Sequence, residues 1–152
     1  MKPNLLSHIQ VATQLTGVAL SCYPVGLVNR GAPGWLLLCL AGTAFGLWAL
    51  FHNRIGNFRV YPEPRPGAEL VTTGPYRLVR HPMYSALIVM MAGIAGYNGH
   101  ILNAAGLLLV VIAVTGKAIR EERFLAGHFR DYRDYAAGTP RFIPSFGLRR
   151  SG

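Results

Sequence analysis

Two short polar clusters hold most of the residue types in this chain that could do chemistry on a bound molecule. The first reads Gly74-Pro-Tyr-Arg-Leu-Val-Arg-His-Pro-Met-Tyr84, and the second reads Lys117-Ala-Ile-Arg-Glu-Glu-Arg123. In the first, His81 precedes a proline, which pushes its backbone toward the extended region. Pro82 in turn suits the first position of a helix. A helix starting there presents unpaired amides and the positive end of its dipole, which attract an anion. Arg77 and Arg80 add charge to the same place, and an arginine fork matches a carboxylate. Tyr76 and Tyr84 contribute flat faces and hydroxyls. In the second cluster Glu121 and Glu122 are adjacent, so on a helix they point about 100° apart. One can face a cavity while the other turns to solvent or to Arg120 and Arg123.

A wall of donors opposite a carboxylate suits a zwitterion. S-adenosylmethionine is one such ligand, with its carboxylate, ammonium, ribose diol, adenine and cationic sulfonium. The residue types alone leave other zwitterions open.

The elements that must position these clusters are apolar. Four segments stand out, at 9–28, 35–51, 84–97 and 101–116, against the roughly 20 residues that a full membrane crossing needs. Only Asn98-Gly99-His100 separates the last two, a turn-forming tripeptide that makes them a tight helical hairpin. Beyond Gly116, Leu125, Phe129 and Tyr132 keep helical spacing, so the fourth helix is expected to run on to 136 as an amphipathic extension. Gly138 and Pro140 stop it. The segment 52–74 contains Pro62, Pro64, Pro66 and Gly67 and is expected to run extended over a membrane surface. The tail Arg141-Phe-Ile-Pro144 is placed to fold back on the clusters. The expectation is an all-α, multi-pass membrane domain over 1–152, with about four transmembrane helices at 9–28, 35–51, 84–97 and 101–136.

Charge agrees with that reading. Charged residues make up only 14% of the chain, hydrophobic ones 51%, and the formal charge is +9. The basic residues bracket apolar runs instead of lining a polar face, which argues against nucleic acid as the partner. If the segments cross as described, fourteen of the fifteen lysines and arginines share one side and only Arg30 lies on the other. By the positive-inside rule both termini and both clusters are then cytoplasmic. The two cysteines, Cys22 and Cys39, lie inside apolar segments and offer neither a disulfide framework nor a metal-ligand spacing. The first apolar segment, with Gln10, Thr13, Gln14 and Thr16, reads as a retained helix and not a secretory signal.

The first cluster, followed after the hairpin by Glu121-Glu-Arg-Phe-Leu125, then by Phe129, Tyr132, Tyr135 and Arg141-Phe-Ile-Pro144, resembles the isoprenylcysteine carboxyl methyltransferase family and the related phospholipid N-methyltransferases. The resemblance covers about residues 50–146. It implies a multi-pass enzyme that binds S-adenosylmethionine at the cytoplasmic face, with a lipophilic acceptor entering sideways from the bilayer. On that resemblance Tyr76, Arg80, His81, Pro82, Tyr84, Glu121 and Glu122 would hold the cofactor, and a glutamate would take the ribose hydroxyls. The acceptor would be an isoprenylcysteine-like carboxylate or a lipid amine or thiol. His81 and Glu122 are the candidates for a general base. Ala86 and Arg130 stand where the family often has glycine, and both positions bear on the acceptor pocket.

Plainer readings accompany these. Arg77 and Arg80 could anchor lipid phosphates, and the two glutamates could pair locally on a solvated helix face. The Phe129, Tyr132, Tyr135 stripe reads as packing, and His52, His100 and His128 are assigned no chemistry. The rival functions are an NADPH-dependent membrane sterol or steroid reductase and a non-enzymatic membrane scaffold. Met83 and Ala86 stand where such reductases tend to carry asparagine and glutamate, which favours methyl transfer.

Overall fold

The computed structural model describes residues 5–23, 31–53 and 70–144, and the described residues are helical, without a strand. Among the described residues five helices follow one another: α1 Leu5–Ser21, α2 Trp35–His52, α3 Pro82–Asn98, α4 Ile101–His128 and α5 Tyr132–Gly138, with a 3₁₀ turn at Gly74–Arg77 before α3. The all-α expectation holds. The expected extended run over 52–74 falls largely on residues 54–69, which lie outside the described residues, as does 24–28 of the expected first helix.

The α3–α4 hairpin forms as its tripeptide dictates. Gly99 adopts the left-handed conformation (φ 65°) that closes α3. His100, given no chemistry above, caps α4: its Nδ1 accepts from the Leu102 amide at 3.2 Å, and its own amide donates to Asn103 Oδ1 at 3.0 Å. Asn103 also ties the hairpin to the end of α1, donating to the carbonyls of Leu20, Ser21 and Tyr23.

Two helices depart from expectation: the first runs Leu5–Ser21, starting earlier than 9 and ending before the described residues 22–23, and the fourth stops short of its periodicity. The fourth helix was expected to reach 136, but α4 ends at His128, and Phe129 is extended (φ −115°, ψ 123°). The spacing of Leu125, Phe129 and Tyr132 fits a continuous rod equally well. What breaks the rod is tertiary: the chain turns at 129–131 so that α5 comes back to the 3₁₀ turn, where Tyr135 Oη donates to the Tyr76 carbonyl at 2.6 Å.

The helices pack in the order α1, α4, α3, α2, each mainly against its neighbours in that row. At the α1–α4 seam a Cβ added to Gly106 would lie 2.4 Å from the Ser21 amide nitrogen, and one on Gly17 would lie 2.8 Å from the Gly106 carbonyl. Only glycine permits this backbone approach. Met91, Val110 and Val114 form the centre of the core, with Tyr84, Ile88 and Phe142 packed around them.

Outside that core the surface is strongly apolar. Leu5, Leu6, Ile9 and Leu15 of α1 point outward, as do Leu37, Leu40, Leu47, Trp48 and Phe51 of α2 and Leu108 and Ile112 of α4. Such a surface is covered by lipid or partner in a folded protein, not by water. Two helices, α2 and α4, are long and apolar enough to cross a membrane. With 17 residues each, α1 and α3 span about 26 Å, slightly under the ~30 Å hydrocarbon core.

Candidate active site

The start of α3, the charged end of α4 and the carboxy-terminal segment converge on one point. Pro82 occupies the first helical position of α3 and His81 its cap. The tail runs alongside the approach in the same direction: the Arg80 amide donates to the Pro140 carbonyl at 2.8 Å and the His81 amide to the Arg141 carbonyl at 3.1 Å. Ser85 Oγ donates to the Phe142 carbonyl at 2.7 Å. The expectation that the tail folds back on the clusters is met. It has a consequence for the helix end, which was expected to carry open amides for an anion. Tail carbonyls crowd that end by taking the Arg80 and His81 amides and the Ser85 hydroxyl, but none of these bonds uses the Met83 or Tyr84 amide of the first turn.

Glu121 and Glu122 both face this point, and neither turns to solvent alone. Glu122 is the more buried, its side chain 14% exposed against 23% for Glu121. Arg141 grips Glu122 with two parallel bonds, Nε to Oε1 at 2.8 Å and Nη2 to Oε2 at 2.7 Å. His81 Nε2 lies 3.1 Å and Arg80 Nη2 3.4 Å from the same Oε1. Glu121 is held more lightly: Tyr84 Oη donates to its Oε1 at 2.5 Å, and His81 Nδ1 lies 3.4 Å from its Oε2. The His81 ring therefore has a carboxylate at each nitrogen, stacks on Tyr84 at 5.5 Å and tilts against Phe142 at 6.0 Å.

Protonation follows from these contacts, which gather where the start of α3 meets the part of α4 beyond Gly116, past the apolar stretch of that helix. Burial pushes the Glu122 carboxyl up, but the Arg141 fork, the His81 bond and the Arg80 charge more than reverse this and hold it down at about 2. Burial pushes the His81 imidazole down, and the bonds and charges of Glu121 and Glu122 outweigh it, so the net direction is up. Burial, then the Glu121 charge, raises the Tyr76 phenol to about 12 against a bond to Asn53.

Of the residues expected to form the site, Arg80, His81, Tyr84, Glu121 and Glu122 come together directly, and Pro82 starts the helix that His81 caps and that carries Tyr84. Tyr76 sits on the 3₁₀ turn and is linked through its carbonyl to α5. Arg77 is exposed. Ala86 is buried in the α2–α3 seam, where a Cβ on Gly46 would meet its methyl at 3.2 Å. Its extra carbon thus packs helix against helix.

Sequence reasoning missed two members. Arg141 was seen only as part of the tail, yet it is the main partner of Glu122. Tyr132, assigned to packing, is buried at 3% exposure beside the ionic network. Arg80 Nη1 donates to the carbonyl of Ala136, one turn further along α5, at 3.1 Å. Among the described residues, no group of three or more histidine, cysteine, aspartate or glutamate side chains is arranged to hold a metal.

Residues 31–132, about two thirds of the chain, match the model of the phospholipid methyltransferase family. The chain belongs to this family. The matched stretch of this phospholipid methyltransferase family member holds α2 to α4, both polar clusters and Tyr132; α1 and the tail that carries Arg141 lie outside it. Two curated relatives are similar over part of their length. The nickel-cobalt-cadmium resistance protein NccN of Alcaligenes xylosoxydans xylosoxydans is 39% identical over 93 residues, 60% of this chain and 44% of the relative. The cobalt-zinc-cadmium resistance protein CzcN of Cupriavidus metallidurans is 36% identical over 92 residues, 60% of this chain and 43% of the relative. The alignments span less than half the length of either.

Proposed function

We propose that the chain is a multi-pass membrane methyltransferase that binds S-adenosylmethionine at the His81–Glu121–Tyr84 cluster and methylates a lipophilic acceptor drawn from the bilayer. The observation that carries this reading is the convergence of the two family clusters on one buried point with unequal carboxylates. Glu122 has its lone pairs taken by Arg141, His81 and Arg80. Glu121, lightly bonded and more exposed, is the carboxylate with capacity to accept ribose hydroxyls. Tyr76 and Tyr84 give aromatic and hydroxyl surface for the rest of the nucleoside. The donor set therefore fits the ligand, with Glu122 as the anchor of the tail and Glu121 as the ligand-facing group.

When bound, the sulfonium supplies an activated methyl carbon. Transfer would be an in-line displacement, the acceptor's lone pair forming the new bond to carbon while the C–S bond breaks with its electron pair left on sulfur. The protein's part is to hold both partners and exclude water. The two residues expected as possible bases are poorly suited to that role. His81 is held toward its imidazolium form by two carboxylates, and Glu122 is held as a paired carboxylate. A site without a free base favours an acceptor that is already nucleophilic. Among the acceptor classes considered, a carboxylate of the isoprenylcysteine type meets this condition best.

The reading places both termini and the site on the cytoplasmic face, with α1 to α4 in the bilayer and surrounding lipids as partners. The relatives' names add a setting for cellular tests, tolerance of nickel, cobalt, zinc or cadmium with and without the chain.

The test is transfer of tritiated methyl from S-adenosylmethionine to a prenylcysteine analogue or to phosphatidylethanolamine in vesicles. Label released by mild alkali as methanol marks the expected ester. Alkali-stable lipid label would move the acceptor to an amine, and NADPH oxidation without methyl transfer would overturn the reading.

A further inference from the structure

We infer that Tyr132 Oη and Arg80 Nε form an anion-binding corner of this site and receive the carboxylate of the methyl donor's amino-acid moiety. The inference rests on the proposed cofactor and adds a residue that neither the sequence reading nor the ion-pair network assigns.

The starting observation is a pair of buried donors without acceptors. Among the described residues, Arg80 Nε and Tyr132 Oη are the buried side-chain polar atoms that have no hydrogen-bond partner. A buried unpartnered donor is costly, and native proteins keep few of them without a use. Their shared position makes the pair informative. Arg80 Nη1 is fixed on the carbonyl of Ala136, one helical turn beyond Tyr132 on α5, and Nη2 lies against Glu122. The Tyr132 hydroxyl feels the charges of Glu122, Arg80, Arg141 and Glu121, so it lies among the groups of the site. Burial, then the Glu122 charge, pushes that phenol up to about 12. It stays protonated at neutral pH and acts as a donor.

Elimination leads to the same corner. The α3 amino terminus, the expected anion site, is crowded by the Pro140, Arg141 and Phe142 carbonyls, which take the Arg80 and His81 amides and the Ser85 hydroxyl. The Arg141 guanidinium is committed to Glu122, His81 lies between the two glutamates, and Tyr84 donates to Glu121. A zwitterionic ligand whose diol meets Glu121 still brings an anion that needs donors. The buried side-chain donors left without an acceptor are Tyr132 Oη and Arg80 Nε, and a carboxylate with two oxygens can take one bond from each.

The test is calorimetric titration of the detergent-purified full chain, wild type and Tyr132→Phe, with S-adenosylmethionine and with its decarboxylated analogue. A thermal melt of each ligand-free protein accompanies the titrations. We expect the wild type to prefer the carboxylate-bearing ligand by about 10-fold or more, as for a hydrogen bond to a charged group, and Tyr132→Phe to bring the two ligands near parity. The ligand-free variant should melt no lower than the wild type, because its lost hydroxyl had no partner. Arg80→Lys, which keeps the charge but lacks Nε–H, should narrow the preference in the same way. An unchanged preference in Tyr132→Phe overturns the inference and leaves the cofactor reading standing. An equal loss for both ligands, or a lowered melt with unchanged binding, assigns Tyr132 a structural role and also overturns it. Failure of the wild type to bind S-adenosylmethionine removes the cofactor reading and this inference together.

Discussion

The α1–α4 seam and the α3–α4–tail site both bury polar side chains, but they satisfy them in opposite ways. In the seam, cations meet neutral oxygens: Lys117 Nζ donates to Gln14 Oε1 at 2.6 Å, and Arg120 donates to Gln10 Oε1 at 2.8 Å and Ser7 Oγ at 3.0 Å. In the site, charge meets charge, with Arg141, Arg80 and His81 all directed at Glu122. The seam has glycines where backbones touch, and its polar bonds run directly from helix to helix. The site has fixed ions, aromatic rings and unpartnered donors. The first arrangement suits holding two helices together in lipid, and the second suits holding a ligand. Lys117 and Glu121 are one turn apart on the same helix, so the change of role happens within about 6 Å.

That contrast can be broken most forcefully at Glu122. Glu122→Gln leaves two arginines and His81 around a neutral group, and loss of one partner of a buried ion network costs about 3 kcal/mol or more. Hydrogen exchange should show the Arg80 and His81 amides, held by the tail carbonyls, becoming labile while the seam is unaffected. Next in size is Gly106→Val, which drives a side chain into the backbone of α1 and should cost about 1–3 kcal/mol. Its melting temperature should fall, with any ligand loss following from the fold.

A pH series sharpens the comparison. His81 is raised above its ordinary 6.5 in the folded state, so its contribution is complete below 6.5 and disappears as pH rises through the higher folded value. Glu122 is lowered from 4.5 to about 2, so its contribution is complete above 4.5 and is lost as pH falls toward 2. Stability from the site should therefore be greatest between about 4.5 and 6.5, and His81→Gln should remove the decline on the alkaline side. The smallest effect belongs to the seam: Lys117→Met replaces a buried cation by a side chain of similar length and should change stability by about 1 kcal/mol or less. A large loss there would mean that the seam cations do more than join helices.

The helices, the hairpin and the meeting of the two clusters were legible in the sequence because each has a local cause. Asn98-Gly99-His100 closes a turn, Pro82 starts a helix, and charge scarcity marks where polar groups gather. The division of labour between Glu121 and Glu122 was not legible, since adjacent positions fix only an angle and not the partners found there. Arg141 was hidden for a related reason: its grip depends on backbone pairing of 140–141 with 80–81, a contact across sixty residues that has no period. The break after His128 was masked because helical spacing continues through Tyr132. Tyr132 itself looked like packing, and by burial it is; only its hydroxyl, lacking a partner among the described residues, distinguishes it from a phenylalanine.

The central claim is that Glu121, and not the saturated Glu122, is the carboxylate a nucleoside ligand meets. It is tested most directly by titrating detergent-purified wild type and Glu121→Gln with S-adenosylhomocysteine in a calorimeter, with a thermal melt of each. The account predicts binding by the wild type, weakened about 10-fold or more in Glu121→Gln, with nearly equal melts. Undiminished binding by Glu121→Gln, or no binding by a folded wild type, would contradict it.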